Sequence, residues 1–217
     1  IQVVNDALAF FVHLPGRKPR LTIWNWKTSN RIYVSFFIPL VDTDFTLLSP
    51  STYLMTSALR AGSIQLYTLV SPTHSSDAIS SPPNASYGSA IHLVTLHFPP
   101  TTPRVDIAQV VVEASPTEAR ALPNRPCKQK DSDRLHLFST QYDIYDMREG
   151  HTIRTVTFVH QGVFMTYMEK AQSQANEAGI AITDASFKPL EVPWTEWGPR
   201  NARVIETNWA LDCGRYV

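Results

Sequence analysis

The sequence predicts an all-β fold, in its simplest form a partial β-propeller of divergent four-stranded blades. Three observations carry that reading. The chain is 11% aromatic and holds 16 prolines in 217 residues. Short runs of β-branched and aromatic residues recur with turn signals at a spacing of roughly 8–12 residues, the signature of a sandwich, barrel or propeller. Several runs, such as Leu8-Ala9-Phe10-Phe11-Val12 and Val110-Val111-Val112, are apolar on both faces. Such strands want cover on both sides, which neighbouring blades supply and a two-layer sandwich does not.

The elements follow in order. Ile1-Gln2-Val3-Val4 reads as the middle of a β structure. Ala7–Leu14 is apolar and ends at the Pro15-Gly16 turn. Arg20–Trp26 is broken by Thr28-Ser29-Asn30, and Arg31–Phe37 resumes. Phe45–Leu48, Thr52–Thr56, Gly62–Val70 and Ala90–Phe98 come next. Val105–Val112, Arg134–Tyr145, Ile153–Val159 and Val163–Met168 continue the series. Residues 71–90 hold seven Ser and three Pro and predict a long surface loop; residues 115–133 predict another. One short surface helix is expected at about 167–178, rich in Ala, Glu and Gln and closed by Gly179 as a C-cap glycine.

Composition excludes several classes. Lys+Arg and Asp+Glu are 19 each, so the formal net charge is zero, which argues against nucleic acid as a partner. No apolar run approaches a membrane span, so no membrane partner is expected. The two cysteines, Cys127 and Cys213, are too few for a disulfide framework or a four-thiolate zinc site. The sequon Asn84-Ala85-Ser86 is read as chance in a cytoplasmic or nuclear protein. The chain begins at Ile1 and both ends start abruptly, so a single propeller-like domain cut from a longer chain is expected, prone to aggregate through its open blade edges.

Phe45–Ser49, Tyr53–Thr56, Gly62–Tyr67 and Ile91–Leu96 together make the content of one blade. Leu8–Val12, Arg20–Trp26 and Arg31–Phe37 make most of another. Arg20-Leu21-Thr22-Ile23-Trp24-Asn25-Trp26-Lys27-Thr28 resembles the third strand of a WD-type repeat, without the familiar Gly-His and Trp-Asp dipeptides. That strand, the Phe45–Ser57 hairpin and Val192–Val204, above all Pro193-Trp194-Thr195-Glu196-Trp197-Gly198-Pro199, resemble the region that follows the F-box in fungal F-box proteins of mushroom-forming species. The resemblance covers most of the chain, in order. It implies a WD-like propeller that presents a protein substrate to a Skp1–cullin ubiquitin ligase. No F-box is present in the chain, so Skp1 would be met only through a segment outside it.

Candidate sites are weighed on the same footing. The histidines at 13, 74, 92, 97, 136, 151 and 160 lack metal-site spacing, and His92 and His97, five apart, should point to opposite faces. No nucleophile elbow, Walker loop or dinucleotide fingerprint occurs. Asp42-Thr43-Asp44 reads as an Asp-stabilised turn. Asp143, Asp146, Glu149 and His151 read as a polar hairpin, with an acid–base set as the sharper alternative. Trp24 and Trp26 share a face by period two and are expected as blade-to-blade core, with Trp24 buried. Trp194 and Trp197 are expected in a packed turn that locks the last strands. The function expected is therefore non-catalytic protein binding, with no cofactor, no metal and no catalytic residue; the alternative is a propeller-type hydrolase or glycan-active enzyme with a site assembled from distant loops.

Overall fold

The computed structural model describes residues 1–12, 19–34, 44–59, 61–70, 88–115, 134–145 and 150–207. Sheet 1 is an antiparallel meander of β1 (Gln2–Val4), β2 (Ala7–Val12), β3 (Arg20–Asn25) and β4 (Asn30–Val34). Its two tight turns follow from local chemistry. Asn5 takes φ 50°, a left-handed value that Asn tolerates, and starts the β1–β2 turn. After β3 the Asn25 carboxamide oxygen accepts the N–H groups of Lys27 and Thr28, both at 3.1 Å, and Ser29 takes φ 58°.

Sheet 2 holds β5 (Phe45–Ser49), β6 (Thr52–Ser57), β7 (Ser63–Val70) and β8 (Ser89–His97), the four segments grouped from sequence as one blade, and gains a fifth strand at its outer edge, β12 (Leu190–Val192). Sheet 3 holds β9 (Val105–Ala114), β10 (Leu135–Tyr145), β11 (Gly150–His160) and β13 (Ala202–Thr207). The expectation of an all-β chain built from four-stranded units therefore holds. The sheets stand side by side, with β1 against β5 and β5 against β9, so these three strands line the inner side of an open stack.

Sheet 2 is the middle layer. Val4, Ala7, Ala9, Leu21 and Ile23 of sheet 1 form one core with Phe45, Leu47, Tyr53 and Met55. On the other side Leu54, Ile64, Leu66 and Leu96 form a second core with Val110, Val112 and Phe138 of sheet 3. Strands β5 and β6 are thus buried on both faces along nearly their whole length. The expectation of two-sided cover lands on different strands from those singled out. In β2 and β9 full burial alternates with partial burial, because sheets 1 and 3 each have one face against sheet 2 and one outward.

Trp24 follows the same logic and corrects its expected place. Leu21 and Ile23 fill the core, so Trp24 projects to the outward face, level with Leu8 and the exposed Val3. It is partly buried there, with the Arg31 guanidinium 5.1 Å from its ring centre. Trp26 lies past the end of β3, in the turn, and is 51% exposed. Its indole N–H donates to the Asn5 carbonyl at 2.9 Å.

Two helices replace the one expected. α1 runs over Gln161–Glu177, so Val163–Met168 is helix and not strand, and the helix begins well before residue 167. The buried positions Gln161, Phe164, Met168, Ala171 and Ala175 recur at three and four residues, one face of a helix packed on β8 and β11. Gly179 closes it as expected: at φ 67° its N–H donates to Asn176 O and that of Ile180 to Ala175 O, at 3.0 and 2.9 Å. α2 (Trp194–Asn201) occupies the stretch expected as a packed turn. Trp197 is fully buried, edge-on to Trp194 with ring centres 4.9 Å apart, and its indole N–H donates to His97 O at 2.8 Å.

Candidate interaction surface

Side chains of β1, β6 and α1, with Asp44 and Arg134, fasten the sheets to one another through backbone groups near and along β5. The Gln2 carboxamide donates to Phe45 O at 2.9 Å and accepts Leu47 N–H at 2.8 Å, joining sheet 1 to sheet 2. From the other side the buried Arg134 guanidinium donates to Leu47 O at 2.6 Å, and Gln161 donates to Leu48 O at 3.0 Å. Thr56 donates to Val110 O at 2.8 Å. Asp44 accepts from its own neighbour Phe45 and from Val112 of sheet 3, which makes it a cross-sheet tie; the rest of the Asp-stabilised turn expected at Asp42-Thr43-Asp44 lies outside the described residues. Burial raises the Asp44 pKa above the usual carboxylate value, more than these amide bonds lower it.

His136 belongs to this frame. It is fully buried, edge-on to Phe164, with Nε2 donating to Gln161 Oε1 at 3.2 Å. Burial pushes its pKa down to about 4, and its Nδ1 has no hydrogen-bond partner among the described residues.

A second set of groups gathers toward the outer side of sheet 2, on the face toward sheet 1. Tyr33, Tyr53, Tyr67 and His92 follow one another with ring centres 6.1, 5.0 and 4.9 Å apart, the first pair tilted and the other two stacked. Burial pushes the Tyr67 phenol up to about 12 and raises Tyr53 further. The Tyr67 hydroxyl donates to Gln65 at 2.8 Å. Next come Thr95, which donates to Glu191 Oε1 at 3.0 Å, and His97, whose Nε2 lies 2.6 Å from Glu191 Oε2. His92 reaches Thr95 at 3.2 Å. The expectation that His92 and His97 face opposite ways fails because of a bulge: Leu66 pairs Val94 but Tyr67 pairs His92, and the extra residue turns His92 to the side of Thr95 and His97.

The proton positions in this row follow from its partners. His92 Nε2 lies 3.1 Å from Val94 O, which only accepts, so Nε2 carries the hydrogen and cannot take one from Thr95. The order is hydroxyl, carboxylate, imidazole. The carboxylate stands between Thr95 and His97 and bonds to both, so the hydroxyl donates to a carboxylate and no imidazole accepts from it, unlike the hydroxyl–imidazole–carboxylate order of a triad. What the row does is hold β12 against β8. Beside it, α1 and the segment before β12 border a groove of about 530 Å³ lined by Ala171, Gln174, Ala175, Phe187, Pro189 and Leu190.

The remaining sequence candidates are not brought together. Asp143 accepts a hydrogen bond from Thr152 at 3.1 Å. His151 pairs Ile144, one residue along, and so takes the opposite face of the hairpin. Asp42, Thr43, Asp146, Glu149, His13, His74, Asn84, Cys127 and Cys213 lie outside the described residues, as do most of the two long loops, 71–87 and 116–133. Among the described residues no group of three His, Cys, Asp or Glu side chains is placed to hold a metal ion. No described helix is long and apolar enough to cross a membrane. No family model matches the chain, and neither a curated protein nor a solved structure matches it.

Proposed function

We propose that the chain is a non-catalytic protein-interaction module. The observation that carries this reading is the division of labour among its polar groups. Inside the stack, Gln2, Asp44, Thr56, Arg134 and Gln161 bond to backbone groups of a neighbouring sheet and fasten one sheet to the next. Those at the outer side of sheet 2 hold the β8–β12 joint and leave Glu191 and His97 half open to solvent. A rigid β frame with polar rims suits recognition of another protein.

The resemblance of Arg20–Thr28, Phe45–Ser57 and Pro193–Pro199 to fungal F-box proteins extends the reading. The module would be the substrate-recognition region of a Skp1–cullin ubiquitin ligase in the cytoplasm or nucleus, with Skp1 engaged through an F-box outside this chain. The test is a pull-down with the full-length protein, in which recovery of Skp1 and a cullin supports the ligase reading. Hydrolysis of an ester, glycoside or phosphate panel member that is lost in Glu191→Gln would overturn the non-catalytic reading.

A further inference from the structure

The chain treats the outer edge of a sheet the same way twice. Before entering β8 it passes Gly88, whose N–H donates to Ile32 O at 3.1 Å in a parallel bridge, Tyr33 to Gly88, on the open side of β4. Before entering β13 it passes β12, which adds in parallel to the open side of β8 through Leu190–Val94, Glu191–Thr95 and Val192–Leu96. A single bridged residue in the first case, and a three-residue strand in the second, lies against the outer edge of the preceding sheet just before the chain completes its own. β13 is the third outer strand in the series. It pairs β11 on one side, and among the described residues no strand pairs the other.

The residues of that edge suit a ligand strand. Val204 and Ile205 are 49% and 53% exposed, large values for aliphatic side chains on a strand. Alternation puts Arg203 and Ile205 on one face and Val204 and Glu206 on the other. The chemistry of an incoming strand is already displayed at β12, where Glu191 sits between Leu190 and Val192 and is held by Thr95 and His97 of the receiving strand. On β13 the cation available to such a carboxylate is Arg203, whose described hydrogen bond is to the carbonyl of Ala202, its neighbour in the chain.

We infer that β13 is a peptide-receiving edge. It takes an extended segment of a partner protein in parallel, of the pattern aliphatic–acidic–aliphatic, with the acid on the Arg203 face. Main-chain hydrogen bonds supply affinity and the Arg203 contact supplies selectivity, the division seen wherever a peptide extends a sheet. The inference deepens the interaction-module reading and rests on it.

The experiment uses a fluorescein-labelled peptide with the sequence of Phe187–Pro193, titrated into the whole chain and followed by anisotropy. The expected result is saturable binding, weakened at least ten-fold in Arg203→Glu. That variant should in turn bind the peptide whose Glu is replaced by Lys, a charge-swap rescue that also shows the variant is folded. Amide exchange over residues 203–206 should slow on peptide addition. Absence of saturable binding, indifference to Arg203→Glu, or protection on β8 overturns the inference. So does slow exchange, in the free chain, of the β13 amides that point away from β11, because the edge would then be occupied by the chain itself. Recovery of Skp1 by the full-length protein together with any of these results overturns the edge alone and leaves the module reading standing.

Discussion

The Asp44 carboxylate accepts the Val112 amide at 3.0 Å across 68 residues of sequence, and so ties the entry of sheet 2 to an inner strand of sheet 3. The same carboxylate accepts Phe45 N–H at 2.8 Å. Its raised pKa means that, when charged, it sits in a folded environment less favourable than water.

Asp44→Asn should therefore cost less than Asp44→Ala. The carboxamide keeps an acceptor for one amide, whereas Ala leaves two backbone donors short and should cost about 2 kcal/mol. The sign of the pH effect follows from burial. A carboxyl whose folded pKa is raised holds its proton more tightly when folded, so its contribution is full below its ordinary value of 3.8 and declines as pH rises through the folded pKa. Thermal melts of the parent and Asp44→Asn across pH 3–7 should show a difference that shifts in favour of the Asn variant as pH rises.

His136 should give the opposite slope. Its folded pKa of about 4 lies below the ordinary 6.5, so its contribution is full above 6.5 and is lost as pH falls toward 4. The gap corresponds to about 3 kcal/mol at full titration. His136→Phe, which keeps an aromatic beside Phe164, should flatten the acid limb of a melting-temperature profile between pH 6.5 and 4. An unchanged acid limb would show that another group sets it.

The tryptophans should separate cleanly. Trp197→Ala removes a fully buried ring and its bond to His97 O, and should cost about 3–5 kcal/mol. Trp26→Ala acts at a half-exposed turn and should cost about 1 kcal/mol or less. Trp24→Ala should fall between them, because its ring covers an outward face and not a core. Denaturant midpoints of the three variants decide the order.

Gly62→Ala should destabilise by about 2 kcal/mol or more, for two reasons that a double-mutant cycle separates. Gly62 takes φ 71°, and a Cβ there would come within 2.6 Å of Ile107 Cδ1. Ile107→Val removes that methyl group. In its background the Gly62→Ala cost should shrink to the backbone strain and the 3.2 Å approach to Phe98 Cδ2; an unchanged cost would show that the Ile107 contact contributes nothing.

Sheet 2 was legible because the β5–β6 and β6–β7 turns are short and its strands are runs of aliphatic, aromatic and β-branched residues. What stayed hidden has local causes. Val163–Met168 is dense in β-branched and aromatic residues, and six residues are too few to separate period two from 3.6; only with Ala171 and Ala175 added does the helical stripe emerge. α2 contains Gly198 and Pro199, which read as a turn, and the edge-on packing of Trp194 and Trp197 that helps hold the helix is invisible to propensity. The row at Glu191 was missed because a bulge reversed His92, and because Glu191 comes from a strand 94 residues beyond His97. No spacing rule spans that distance.

The late arrival of β12 has a consequence for synthesis on the ribosome. β8 is complete when His97 has been added, yet the strand that covers its outer edge is centred on Glu191, 94 residues later. At roughly 5–20 residues per second, that edge stays uncovered for about 5 to 20 seconds on every nascent chain. The interval is long beside the microseconds a hairpin needs. An unguarded strand edge is a template for pairing with other chains. Polysomes carry many such edges close together, so pairing between nascent copies competes with folding during the stretch of translation in which β9, β10, β11 and α1 are made.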